Sequence, residues 1–188
     1  MTHQSLQLAA WAELALCWFL WLLASVLTRG KGPRPEKAIS ASAGGVGIFI
    51  NIIGLACLAI PFRPSGYLSP LFTIIPAMII APMSMRLVWA ARKHIGRNWR
   101  AGAVLNDDHI LVKTGPYERM RHPIYASLLG MVVATAFAYS WWPLGVAGII
   151  ITLFGIEMRL KAEERIMERF FQDEFIEYKA RTRAFFPF

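Results

Sequence analysis

Two cysteines, twelve acidic residues and no lysine or arginine ahead of position 29 are the scarcities that bound this 188-residue chain. Cys17 and Cys57 both fall inside apolar runs and form no CxxC pair, so they offer neither a disulfide framework nor a cysteine-based zinc site. The absence of basic residues before the first apolar run, and of a persuasive small-residue cleavage site after it, argues that residues 6–27 are a retained membrane helix. Gly44-Gly45-Val46-Gly47 does not follow a strand, so its glycines read as small residues for close helix packing and not as a nucleotide loop. Apart from Glu13, the apolar runs before Glu157 contain no acid, which is not the pattern of a charge-lined transport pathway.

What the chain has in abundance is apolar surface. Its residues are 56% hydrophobic, against about 45–50% in soluble domains even with glycine counted. Runs at 6–27, 44–60 and 68–88 each approach the ~20 residues that cross a bilayer. Two shorter runs, 124–139 and 144–156, flank Ser140-Trp141-Trp142-Pro143 and read as a tight helical hairpin. The expected fold is therefore an all-α polytopic membrane bundle of about five transmembrane helices, the last two a short hairpin. One domain, 1–188, is expected: three spanning helices (1–89), a cytoplasmic loop (90–122), the hairpin (123–156), then a cytoplasmic C-terminal helix and tail (157–188). Within it, 90–95 should extend the third helix as far as Gly96, and Pro123 should open the fourth. The last helix should run from Ile156 to Arg181 with an apolar stripe of Ile166, Phe170, Phe171, Phe175 and Tyr178.

The basic residues orient such a bundle. Four follow the first run, eight fall between Arg86 and Arg121, and seven between Arg159 and Arg183. With five crossings these nineteen of the twenty share one side. The positive-inside bias makes that side cytoplasmic and puts the N-terminus outside. The net charge of +8 is then accounted for by topology and anionic headgroups, with no nucleic-acid partner required.

The polar residues carry the chemistry. Arg159 and Glu163 are spaced i, i+4 on one helical face directly after an apolar run, with Glu164 and Glu168 adding acid beside them. Alone, that spacing reads first as a surface ion pair. His122 has three readings: a metal ligand, for which His94 and His109 lack partner spacing; a cap on the helix opening at Pro123; or a cofactor contact beside free N–H groups at a helix N-terminus.

Gly115-Pro116-Tyr117, then Arg121-His122-Pro123-Ile124-Tyr125, then Arg159 with Glu163-Glu164, and the ending Phe175-Ile176-Glu177-Tyr178-Lys179-Ala180-Arg181 resemble the isoprenylcysteine carboxyl methyltransferase family. The resemblance covers residues 92–188, and membrane phospholipid N-methyltransferases share its broader pattern. It implies a membrane methyltransferase using S-adenosylmethionine, with lipophilic or lipidated acceptors and membrane lipids as partners and no metal. By the family's pattern His109, Ile110, Leu111, Val112, Tyr117, His122, Pro123, Ile124, Tyr125 and Glu163 contact the cofactor. Arg121 and Glu164 stand in the same motifs and are counted with them as cofactor-binding. Arg159 faces the methyl acceptor and forms the catalytic pair with Glu163. A polar residue ahead of His109 completes the set, with Asn98 and Asn106 the candidates. The implied reaction is carboxyl O-methylation of an isoprenylcysteine-like substrate. Methylation of a phospholipid or other lipophilic amine, a nicotinamide-dependent membrane reductase, and a transporter or scaffold subunit are the competing classes.

Overall fold

The computed structural model describes residues 3–27, 42–59, 70–96, 110–139 and 141–185. They form six α-helices, α1 (His3–Leu27), α2 (Ser42–Ala59), α3 (Pro70–Ile95), α4 (Pro123–Tyr139), α5 (Trp142–Phe171) and α6 (Asp173–Arg181), with a 3₁₀ turn at Gly115–Glu118. Among the described residues there is no strand, only an isolated parallel bridge between Met120 and Arg183.

Ser5–Ala24, Phe72–Ile95 and Trp142–Phe171 are long and apolar enough to cross a membrane. α2 and α4, with 18 and 17 residues, reach only about 26 Å at 1.5 Å per residue, short of the ~30 Å hydrocarbon layer. Large apolar side chains point outward from all six helices, most of them on α1, α2, α3 and α5, among them Phe19, Phe49, Phe72, Ile79, Ile150 and Phe154. So much exposed apolar surface suits a multi-pass membrane protein, in which lipid covers it.

Two apolar clusters hold the helices. Leu14 and Cys17 of α1, Ala77 and Ala81 of α3, and Met131, Ala134 and Ala138 of α4 make the first. α1 also reaches α4 through indole N–H groups: Trp18 donates to Thr135 Oγ1 and Trp21 to Ser127 Oγ, each at 3.0 Å. Tyr125 and Leu129 of α4 with Ile156 and Leu160 of α5 make the second. α2 packs chiefly on α5, and this seam is nearly backbone on backbone. A Cβ built at Gly155 would lie 2.8 Å from the Gly47 carbonyl oxygen, and one at Gly54 would lie 2.9 Å from that of Gly148. Without a hydrophobic drive between helices in lipid, such close approach is what van der Waals packing requires.

α3 runs to Ile95, continuous through Pro76 and Pro82, and ends at Gly96 with φ +51°. α4 opens at Pro123, as its missing N–H predicts. The expected hairpin is corrected in its second arm. α5 does not stop near Ile156 but continues as one 30-residue helix to Phe171. Glu157 to Phe171 contains no glycine or proline and is rich in Glu, Arg, Met, Leu, Lys and Ala, strong helix formers. The change of character at Glu157 is thus a change of side-chain polarity, not of backbone. The expected unbroken helix to Arg181 is corrected too: the chain turns at Gln172, φ +48°, and α6 starts with Asp173 and Glu174 in its first turn. The turn folds α6 back so that Phe175 and Tyr178 are buried, as is Ile166, while Phe170 stays exposed.

Candidate functional site at the charged half of α5

The segment entering α4 is shaped first by Gly115. Its φ of +64° is a left-handed conformation, and a Cβ there would lie 2.4 Å from His94 Nε2. Glycine is therefore the one residue that suits the position on both counts. His94 is itself fixed by a 2.8 Å bond between Nδ1 and the Ala90 carbonyl oxygen. The following 3₁₀ turn buries Tyr117, whose carbonyl oxygen accepts a 2.5 Å bond from the Tyr178 hydroxyl of α6. Arg121 and His122 then donate their backbone N–H groups to the carbonyls of Arg183 and Ala184 at 2.8 and 3.0 Å. The tail after α6 is thereby stapled beside the start of α4.

Glu164 is the electrostatic centre of that staple. It accepts from Arg121 Nε at 2.9 Å and Lys179 Nζ at 2.8 Å, and its Oε1 lies 3.2 Å from His122 Nε2. An ionised carboxylate only accepts, so His122 Nε2 carries the proton toward it. Arg121 NH1 donates onward to the carbonyl oxygens of Lys179, at 3.1 Å, and Thr182. Lys179 also bonds Glu168, and its two carboxylate partners raise the pKa of its ammonium. Burial pushes the Tyr178 phenol up to about 12, against the pull of Arg121 and the Thr182 bond. Burial likewise raises Tyr117, reinforced by Tyr178 and opposed by Arg92.

Glu163, one residue on, is held differently. The Tyr125 hydroxyl donates to its Oε1, Arg159 NH2 stands 3.8 Å from the same oxygen, and His122 Nδ1 is 3.9 Å from Oε2. The Arg159 guanidinium lies over the Tyr125 ring at 5.2 Å, within cation–π range. Glu164 is engaged three ways by the protein, whereas Glu163 is bound by one phenol and looser charges. It is the carboxylate with acceptor capacity left over. The Tyr117 hydroxyl, in the electrostatic reach of Glu163, is buried with no hydrogen-bond partner among the described residues.

The structure thus brings Tyr117, Arg121, His122, Tyr125, Arg159, Glu163 and Glu164 together, although 38 residues separate Tyr125 from Glu163. His122 turns its ring to Glu164 instead of capping α4. Pro123 is fully buried and Ile124 partly so. Ile110, Leu111 and Val112 run ahead of the 3₁₀ turn, Ile110 largely exposed, and Lys113 ties them to α6 through Glu174 at 2.9 Å. His109 lies outside the described residues, as do Asn98 and Asn106.

Three contributors were not read as site residues from sequence. Lys179 and Thr182 sit in the tail motif, but nothing there says which carboxylate or guanidinium they meet. Arg92, fully buried, donates Nε and NH2 to the Ala24 carbonyl oxygen at 2.9 and 2.7 Å, joining α3 to the last turns of α1. Its only signal was an arginine at the end of an apolar run. Among the described residues, no three His, Cys, Asp or Glu side chains are grouped so as to hold a metal ion.

Residues 74–169 match the Isoprenylcysteine carboxyl methyltransferase (ICMT) family. Among curated proteins, the chain is 29% identical over 92 residues to a Protein-S-isoprenylcysteine O-methyltransferase of Saccharomyces cerevisiae, covering 43% of this chain and 34% of that protein. It is 30% identical over 124 residues to the Cobalt-zinc-cadmium resistance protein CzcN of Cupriavidus metallidurans, covering 64% and 51%. A third similarity, 34% over 97 residues, is to the Nickel-cobalt-cadmium resistance protein NccN of Alcaligenes xylosoxydans xylosoxydans, covering 50% and 44%. The chain therefore spans from about a third to half the length of these relatives.

Proposed function

This chain belongs to the isoprenylcysteine carboxyl methyltransferase family, and from that premise we propose that it is an S-adenosylmethionine-dependent methyltransferase acting on a lipophilic carboxylate at the membrane–cytoplasm boundary. The observation that carries the reading is the cluster of Arg159, Tyr125 and Glu163 where the apolar half of α5 meets its charged half. A lipid-borne acceptor reaches that level from the bilayer, and a water-soluble cofactor reaches it from the other side.

The residues fit a cationic, amphiphilic cofactor. Glu163 has spare acceptor capacity beside the buried Tyr125 ring, and the buried Tyr117 hydroxyl has a hydrogen bond to give. When bound, S-adenosylmethionine supplies a methyl group on a positively charged sulfur. Glu163 attracts and orients that charge, with Tyr125 holding the carboxylate in place. Arg159 binds the acceptor carboxylate through its planar donor fork. An anionic acceptor oxygen needs no general base, so the protein's task is alignment, which can contribute about 7–11 kcal/mol to lowering the barrier.

Calorimetric titration of S-adenosylhomocysteine into purified protein tests this, wild type beside Glu163→Ala. We expect saturable binding that the substitution abolishes while the helical content is unchanged. A well-folded wild type that does not bind at millimolar ligand would sink the reading and bring the reductase and transporter classes forward.

An amine acceptor is the second reading. Its ammonium would be repelled by Arg159, and it would have to lose a proton before attack, so its rate would climb with pH through the ammonium pKa. On the positive-inside bias, α5's charged half faces the cytoplasm. A C-terminal reporter active only in the periplasm or lumen should stay silent, and activity from it would reverse the orientation.

A further inference from the structure

We propose that Gly47, on α2, is a positioning residue for Arg159, and that α2 thereby forms one wall of the acceptor site. The inference rests on the reading of Arg159 as the acceptor-binding arginine. α2 lies outside residues 74–169, so this contribution is not part of the family match.

Gly47 is buried. A Cβ built there would lie 2.5 Å from Arg159 Cγ, 3.3 Å from Arg159 Cδ and 2.7 Å from the Gly155 carbonyl oxygen. Heavy atoms do not remain under 3 Å apart, so a side chain at position 47 displaces the Arg159 stem and also presses on the Gly155 carbonyl, which a small parting of α2 from α5 relieves. α2 is braced against sliding. One turn on, Asn51 Oδ1 would meet a Cβ at Gly155 at 2.3 Å, and two turns on, Gly54 faces Thr152 Oγ1 and the Gly148 carbonyl oxygen. Asn51 and Thr152 are both buried and lie close against Gly155 and Gly54, so α2 has little room to slide along α5. The arginine stem is the softer party.

Its displacement has a chemical consequence. The stem lies on α2, while its guanidinium lies over the Tyr125 ring at 5.2 Å and 3.8 Å from Glu163. Moving Cγ and Cδ swings the guanidinium off the ring and away from the place where it would meet a carboxylate. The missing side chain at 47 therefore sets the arginine's rotamer, while the cofactor-facing Glu163 keeps its bond from the Tyr125 hydroxyl. Gly45 supplies the control, because a Cβ there meets nothing within 4 Å. Alanine at 45 has the same helix propensity advantage with no contact.

The test compares Gly47→Ala, Gly45→Ala, Arg159→Ala and the Gly47→Ala/Arg159→Ala double variant in detergent or nanodiscs. N-acetyl-S-farnesylcysteine serves as the lipophilic acid. We expect Gly47→Ala to raise the acceptor KM about tenfold, with S-adenosylhomocysteine affinity within twofold of wild type, and Gly45→Ala to change neither. In the Arg159→Ala background, Gly47→Ala should leave KM where Arg159→Ala put it. A Gly47→Ala protein that folds only when Arg159 is shortened would support the contact equally. An unchanged KM, an additive double variant, or failure to fold in both backgrounds overturns the inference, as does a wild type that binds S-adenosylhomocysteine but methylates no carboxylic acid. A wild type without S-adenosylhomocysteine binding sinks the methyltransferase reading instead. The Gly47–Arg159 contact would then still be read from thermal unfolding, where the loss on Gly47→Ala should shrink in the Arg159→Ala background.

Discussion

Glu164→Ala should lower the stability of this protein by about 3 kcal/mol and release its C-terminal tail. The side chains of Glu164 and Arg121 are 14% and 10% exposed, and His122 is 5% exposed. Removing the carboxylate leaves the Arg121 guanidinium without its ion-pair partner beside the His122 ring in a largely buried site, with Glu163 3.9 Å from the far side of that ring. Breaking a buried pair from one side costs about 3–5 kcal/mol, and the low end applies because some water reaches both groups. For a chain of this size that corresponds to a Tm lower by roughly 6–12 °C. Arg121 also loses the partner that holds it against the carbonyls of Lys179 and Thr182, so protease cleavage after Lys179 or Arg181 should accelerate. Glu168→Ala is the contrast: its pair with Lys179 is 39% exposed on both sides and is worth at most about 1 kcal/mol. A Glu164→Ala protein within 1 kcal/mol of wild type, with its tail still protected, would show that the staple contributes little. The same variant separates two roles, since loss of S-adenosylhomocysteine binding with an intact tail would make Glu164 a cofactor contact in its own right.

Arg159→Ala should reduce kcat/KM for a lipophilic acid about 30- to 1,000-fold, most of it in KM. Truncating one side of a desolvated charge pair costs about 2–4 kcal/mol in the range seen at interfaces, and each 1.4 kcal/mol is a factor of ten. The loss falls on KM for an electrostatic reason. The acceptor oxygen is most negative before attack and loses charge as the methyl group is transferred, so Arg159 holds the ground state at least as tightly as the transition state. Arg159→Lys should recover only part, because an ammonium supplies charge without the planar fork or the same fit to the Tyr125 ring. Unchanged KM and turnover in Arg159→Ala would remove the arginine from the acceptor site, and with it the preference for an acid over an amine.

Much of this was legible in the chain itself. Long apolar runs declare spanning helices because lipid offers the backbone no hydrogen bonds, so composition alone dictates the element. The extension of α3 to Gly96, the opening of α4 at Pro123, and the shared face of Arg159 and Glu163 are all local. Each depends on one residue's backbone preference or on helical spacing. The break at Gln172 was not legible, since neither glycine nor proline marks it. A non-glycine residue is held at positive φ there because the turn buries Phe175 and Tyr178, a gain the local sequence does not display. The end expected for the hairpin's second arm was misplaced for the opposite reason: polarity changes at Glu157, but helix propensity does not.

The two adjacent carboxylates mark the limit most sharply. From sequence, only the i, i+4 spacing from Arg159 distinguishes Glu163 from Glu164 within one motif. In the fold, a 100° step around the helix sends Glu164 to Arg121, His122 and Lys179, and Glu163 to Tyr125 and Arg159. Residue types, spacing and hydropathy determined that this chain is a helical membrane protein of its family, with a charged site at the end of an apolar helix, because those properties act over a turn or two. Which carboxylate stays open, which arginine is tied to the tail, and how a glycine on α2 bears on Arg159 were decided by tertiary packing, because those contacts join residues far apart in the chain through backbone approaches that no local pattern encodes.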